Sequence, residues 1–213
     1  MSKTTASERV VKGAFSTIFI RPDLARFDLR CSTDPGRHSL ILQADGDSTR
    51  AMYNIEKSTA ESTTSTQAYP SLRDALLTYA GFTSGVTPTT FGLLSEIKMA
   101  YDIRNAKDIH RLPNETVSDI ECYRLSAVID PEVRYDADAW ISIDTFCVVK
   151  YEKRTTMTEK TRDATRKLAE QFRKAEEIPD NGAEFICSTA TIWYDRVVFN
   201  NSITIDKIIS SQL

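Results

Sequence analysis

The sequence predicts an α+β fold in which two blocks of antiparallel strands flank a short helical stretch. Hairpin signals stand close together at Asp34-Pro35-Gly36 and Asp45-Gly46, and short hairpin loops make neighbouring strands antiparallel. Apolar and polar residues alternate with a period of two on both sides of the middle of the chain. Helical spacing appears between the two blocks, an arrangement typical of α+β folds and not of an alternating parallel sheet.

Each predicted strand follows from the same alternation. In Arg26–Cys31 the apolar residues Phe27 and Leu29 alternate with charged ones, and the pattern repeats around Leu40 and Leu42. The Ser/Thr-rich stretch 58–67 is either a flexible linker or an exposed edge strand, and its threonines favour the strand. The other strands are predicted, in one sheet, at 26–31, 38–45, 47–54, 121–129, 138–144, 146–153 and 184–199.

Three helices are predicted. Ser71 is a suitable N-cap for a helix over 72–80, and a second short helix is predicted over 89–99. Residues 158–177 are highly charged and carry a narrow apolar stripe that includes Leu168 and Phe172. Such a thin stripe predicts a helix that lies on a surface as a mobile flap near the rim of the sheet.

Length, charge and the lack of known motifs narrow the classes of function to be considered. The chain has 213 residues, which suits a single domain over 1–213 with the charged helix as an insertion at about 158–177. The net charge of −3 argues against nucleic acid as a partner. The two histidines lie in no catalytic motif, and no nucleotide-binding or hydrolase motif is present, so we expect no enzyme, no cofactor and no metal. The four cysteines are far apart and are expected to be free thiols.

The amino terminus leaves two compartments open. The stretch 1–10 is polar and lacks the apolar run of a secretory signal, which predicts a cytoplasmic protein if the chain is native as given. If a signal peptide has been removed, the protein is an exported one, and the resemblance described next implies the periplasm or attachment to the envelope. No run of the sequence is long and apolar enough for a membrane-spanning helix.

Three segments together resemble the LolA/LppX-like superfamily of bacterial envelope proteins that bind lipids and lipoproteins. The first runs from Phe19-Ile20-Arg21-Pro22 through the hairpin to Tyr53-Asn54, and the second joins Tyr123-Arg124-Leu125 to Trp140-Ile141 and Ile143-Asp144-Thr145. The third runs from Trp193-Tyr194-Asp195 to Asp206. Within the superfamily, the segment from Tyr79 to Leu94 looks most similar to the uncharacterised bacterial members.

The resemblance implies a strongly curved antiparallel sheet, an unclosed barrel whose open side is covered by short helices. It also implies non-enzymatic binding of lipid acyl chains or a lipidated protein in a hydrophobic cavity, as a carrier or chaperone, with peripheral membrane contact. Arg21, at the family's Arg-Pro position, would hydrogen-bond the covering helices. The expected cavity wall consists of Phe19, Phe27, Leu29, Leu42, Phe91, Leu94, Trp140, Ile141, Phe146 and Trp193. The alternative is a protein-interaction or sensor domain with a filled core and no lipid ligand.

Overall fold

The computed structural model describes residues 11–20, 24–33, 36–57, 62–80, 82–83, 85–95, 97, 103–106, 108–130, 135–156 and 187–198. The chain divides into two compact units, 1–99 with 200–213 and 100–199. Arg21 and the charged helix predicted at 158–177 lie outside the described residues. The prediction of a single domain therefore stays a prediction.

The first unit contains a five-stranded antiparallel meander in the order β1-β2-β3-β4-β5, followed by two helices. The pairing of Thr33 with Gly36 and of Ala44 with Thr49 confirms the two predicted hairpins. The elements are β1 Lys12–Ile20, β2 Leu24–Thr33, β3 Gly36–Asp45, β4 Thr49–Lys57, β5 Ser62–Tyr69, α1 Leu72–Tyr79 and α2 Val86–Leu94.

The second unit contains a 3-10 turn at Ile103–Asn105 and a second antiparallel meander of five strands in the order β10-β9-β8-β7-β6. Ser118 and Asp119 both have positive φ at the tight turn between β6 and β7, as a two-residue hairpin loop requires. The strands are β6 Asp108–Val117, β7 Ile120–Asp130, β8 Tyr135–Ser142, β9 Val148–Thr156 and β10 Cys187–Trp193.

The antiparallel α+β class is confirmed, but the described strands form two sheets where the sequence analysis predicts one. The helical stretch explains the difference: it interrupts the meander after β5, and hairpin-by-hairpin pairing stops there. Residues 62–69 form an exposed edge strand, which is the alternative that the threonines of the Ser/Thr-rich stretch favoured over a flexible linker. In the described part of the chain no helix is long and apolar enough to cross a membrane.

The helix at 72–79 is confirmed with its cap. The Ser71 side chain accepts a hydrogen bond from the backbone N–H of Asp74, at 3.2 Å from nitrogen to oxygen. The second helix begins at Val86, three residues before the predicted start, because the left-handed Gly85 (φ 76°) serves as its N-cap. No side chain caps the N-terminus of α2, whereas at its C-terminus the Ser95 hydroxyl donates to the carbonyl of Phe91 at 2.7 Å.

Candidate functional site

The apolar face of the first sheet brings together most of the first unit's expected wall residues. The strand register sets Phe27 opposite Leu42 and Leu29 opposite Leu40. Phe27, Leu29 and Leu42 are buried to 0–6% exposure. Because side chains alternate across a strand, these residues share one face and leave the charged ones on the other.

Four phenylalanines join this face to helix α2, and we call them the phenylalanine cluster: Phe15, Phe19, Phe27 and Phe91. Phe91 is fully buried, and its ring centroid lies 6.1 Å from those of Phe19 and Phe27. Phe15 stacks on Phe27 at 5.6 Å. The cluster therefore joins two strands and one helix through ring contacts, each worth about 0.5–1.5 kcal/mol beyond area burial.

A second aromatic group continues the same face toward α1, and the sequence analysis missed it. Tyr53 lies 4.7 Å from Phe82 and 6.3 Å from Tyr79, measured between ring centroids. His38 Nδ1 is 2.7 Å from the Tyr53 hydroxyl. Burial raises the pKa of Tyr53 and of Tyr79, so both hydroxyls stay neutral at physiological pH. The signal was present in the sequence, because Tyr53 and Ile55 alternate with the polar residues Asn54 and Glu56 in β4.

The segment that leads into α2 satisfies its buried polar groups locally. The Thr83 hydroxyl donates to the carbonyl of Tyr79 at 2.9 Å and lies 2.8 Å from the Thr87 hydroxyl. Leu94, the last residue of α2, is half-buried and lies outside the buried cluster that contains Phe91. The two helices therefore meet the sheet mainly through apolar and aromatic side chains.

The other expected wall residues belong to the second unit. Ile141 is half-buried and lies on the face of β8 that also carries Ala137 and Ala139. Phe146 was predicted at the start of a strand. It lies instead in the β8–β9 turn, with φ of 55° and 73% exposure, because β9 begins only at Val148.

Trp140 lies on the opposite, charged face of β8 in a group of polar contacts that we call the Trp140 network. Its indole N–H donates to Glu115 Oε2 at 3.0 Å. Lys150 Nζ lies 4.0 Å and Arg124 Cζ 5.1 Å from the Trp140 ring. Trp193 is 48% exposed and also lies near Lys150, at 5.2 Å. Both tryptophans therefore contact cations.

Asp138 is the buried centre of this network, with 2% of its side chain exposed. It pairs with Arg124 at 2.8 Å and with Arg154 at 3.4 Å. Burial alone would raise the pKa of Asp138, but the hydrogen bonds from Arg124 and Ser126 and the two nearby positive charges outweigh it and lower the pKa. Glu115 and Glu152 pair with the remaining cations, so the network is charge-compensated and structural.

Lys153 points to the other face of β9, where its cross-strand neighbours are Ala137 and Ala190. It is half-buried, and no carboxylate among the residues that the structure describes pairs with it. Burial lowers the pKa of Lys153 to about 8. A charged group in these surroundings is retained at a cost to stability.

Replacing Lys153 with Met should therefore stabilise the second unit at neutral pH, by up to about 3 kcal/mol. The pKa in the folded state lies below that of the unfolded chain, so the unfolded state binds more protons between these values. Wild-type stability should rise with pH from about 8 to about 10.5, and the Met variant should lose this rise. Urea unfolding followed by tryptophan fluorescence measures it, because both tryptophans lie in the second unit. Lys150→Met, on the charged face, is the control and should keep the rise of stability with pH. Equal pH profiles of stability for the wild type and Lys153→Met would contradict the lowered pKa of Lys153.

Three of the four cysteines can be assessed in the structure. Cys31, Cys122 and Cys147 are free thiols, and burial raises the pKa of Cys31 and of Cys122, which makes them less reactive. Within the described ranges, no group of three or more His, Cys, Asp or Glu side chains is placed to hold a metal ion. Comparison with protein-family models, curated proteins and solved structures finds no match for this chain.

Proposed function

We propose that the protein binds an acyl chain, of a lipid or a lipidated protein, between the apolar face of the first sheet and helices α1 and α2. It acts without catalysis, as a carrier or chaperone in the bacterial envelope, on a strongly curved, unclosed sheet. The resemblance to the LolA/LppX-like superfamily supports this function. The observation that carries it is the phenylalanine cluster, in which Phe91 of a short helix fills the space over Phe19 and Phe27.

Helix α2 has the properties of a displaceable cover. It has nine residues, starts at a left-handed glycine and has no side-chain cap at its N-terminus. Isolated helices shorter than about 12–15 residues are marginal in water, so tertiary contacts through Phe91 hold α2 in place. Releasing those contacts releases the helix.

Burial of an acyl chain can compensate for the burial energy that is lost when the Phe91 ring leaves the sheet. Burial of the Phe91 ring contributes about 1.5–3 kcal/mol, and each buried methylene of an acyl chain contributes about 0.8 kcal/mol. About four methylenes therefore replace the burial lost when Phe91 leaves the face. A long acyl chain offers several times that number, so binding can drive α2 aside.

The filled core favours a second candidate, a protein-interaction or sensor domain without a lipid ligand. Phe27, Leu40 and Phe91 are all fully buried, so the face is occupied by the protein's own side chains. Phe146 and Trp193 are exposed aromatic residues suited to a protein partner. The two candidates differ in one expected result: the first requires an acyl chain to bind and displace Phe91, whereas the second requires no such binding.

The experiment is a titration of the delipidated protein with a fluorescent long-chain fatty acid, competed with the unlabelled acid. We expect saturable binding of one acyl chain per protein, with the stoichiometry read by native mass spectrometry. Mass spectrometry before delipidation should also show a co-purified lipid. Absence of saturable binding, together with a lipid-free purified protein, would favour the interaction domain.

A further inference from the structure

The first sheet carries a polar groove on the face opposite the phenylalanine cluster. The groove has a volume of about 590 Å³ and lies at the end of the sheet where β1 begins and β2 ends. The strand register places Lys12, Ser32, Arg37 and Glu56 in one row across four strands. Arg30, Ser39 and Asn54 form the next row. Side chains in neighbouring rows of one face lie within reach of each other.

The cations of this groove are not paired with carboxylates in the part of the chain that the structure describes. Lys12, Arg30 and Arg37 make no ion pair with any carboxylate of the described residues, although Glu56 lies opposite Arg37. Elsewhere on the same face Arg26 forms a two-point ion pair with Asp28, at 2.8 and 3.0 Å. Among the described residues that line the groove, three cations and one carboxylate give a net charge of +2. The cations lie in neighbouring rows and not directly opposite each other, so an anion bound between them would offset their mutual repulsion.

Neutral donors complete the groove. Asn54 accepts a hydrogen bond from the Ser62 hydroxyl on its side-chain carbonyl at 2.8 Å, which leaves its amide NH₂ group as a donor. Ser39 is half-buried beside Asn54. Guanidinium, ammonium, hydroxyl and amide donors therefore surround one space, and arginine forks match the oxygens of phosphate.

We propose that this groove binds the phosphate group of a phosphorylated small molecule or lipid headgroup. Arg30 and Arg37 hold the phosphate oxygens, and Lys12 adds positive charge. The volume lies within the range of about 300–1,000 Å³ typical of small-molecule sites, larger than a bare phosphate needs. The remaining space accommodates the polar group that carries the phosphate, and Glu56 accepts hydrogen bonds from its hydroxyls. This site is separate from the apolar face and does not depend on acyl binding.

The test compares the double variant Arg30→Gln/Arg37→Gln with the wild type and with Arg50→Gln. Arg50 is an exposed arginine on the same face of β4 but outside the groove, so it controls for loss of surface charge. The probes are glycerol 3-phosphate, followed by calorimetry, and vesicles of phosphatidylcholine with or without phosphatidylglycerol, followed by co-sedimentation. All three proteins should melt at similar temperatures, because the substituted side chains are exposed.

We expect saturable binding that falls by about tenfold or more in the double variant and is nearly unchanged in Arg50→Gln. Binding should also weaken as salt concentration rises. Binding to glycerol 3-phosphate identifies a free phosphorylated ligand, whereas binding only to phosphatidylglycerol vesicles identifies a headgroup; both outcomes support the site. The proposal is overturned if neither probe binds saturably, or if Arg50→Gln weakens binding as much as the double variant.

Discussion

Phe91→Ala should lower the free energy of unfolding of the first unit by about 3–5 kcal/mol and at the same time raise its affinity for an acyl chain. The ring is fully buried and contacts both Phe19 and Phe27, so its removal leaves a cavity in the cluster. The same removal releases α2, whose N-terminus has no side-chain cap. A ligand that competes with the Phe91 ring then no longer has to displace it, and its apparent affinity rises.

Leu40→Ala is the matched control. Leu40 is fully buried on the same face, at the centre of β3, and its truncation should cost a comparable amount, about 2–5 kcal/mol. It leaves the Phe91 ring in place, so acyl affinity should not rise. Urea unfolding followed by circular dichroism measures the stabilities, and the fluorescent fatty acid measures the affinities. Equal gains in both variants would show that general loosening of the core, and not removal of Phe91, admits the ligand.

Asp138→Ala should destabilise the second unit by about 1.5–3 kcal/mol, because it removes the buried carboxylate that accepts a charged hydrogen bond from Arg124. Arg124 keeps its contact with Glu115 at 3.1 Å, so the loss should fall at the lower end of that range. The pKa of Asp138 is lowered in the folded protein, so the carboxylate's contribution is fully present above its ordinary pKa of about 3.9. The difference between wild type and variant should therefore shrink as the pH falls through the lowered pKa.

Tryptophan fluorescence during urea unfolding measures this effect, because Trp140 lies within the network. Glu152→Gln is the control, since Glu152 also pairs with Arg154 but has 21% of its side chain exposed. It should lose much less stability, about 0–1 kcal/mol. A loss as large as that of Asp138→Ala would mean that the network owes its stability to charge pairs at the surface and not to the buried carboxylate.

Local patterns predicted most of the first unit. The Asp45-Gly46 turn, the period-two strands around Phe27 and Leu42, and the Ser71 cap all act within a few residues, and each is present in the structure. β6 was missed because Asp108–Val117 includes a proline and a shift in register and buries little, so its alternation is weak. The start of α2 was misplaced because a left-handed Gly85 can begin a helix without a side-chain cap.

The candidate site was predicted in part, for a similar reason. Phe19, Phe27, Leu29, Leu42 and Phe91 were all expected in the wall, and the structure places them in one cluster. The environment of Trp140 could not be predicted from the sequence. Its contacts with Glu115 and Lys150 depend on how neighbouring strands pair. Sequence alternation assigns a residue to a face, but long-range register decides whether that face is apolar or charged.

The central claim is that an acyl chain lies on the apolar face of the first sheet in place of Phe91. A fatty acid that carries a photoreactive diazirine near its methyl end tests this directly, with the crosslinked peptides identified by mass spectrometry. The account predicts adducts on the peptides that contain Phe27, Leu42 and Phe91, and competition by unlabelled fatty acid should abolish them. Adducts confined to other peptides, or adducts that resist competition, would contradict it.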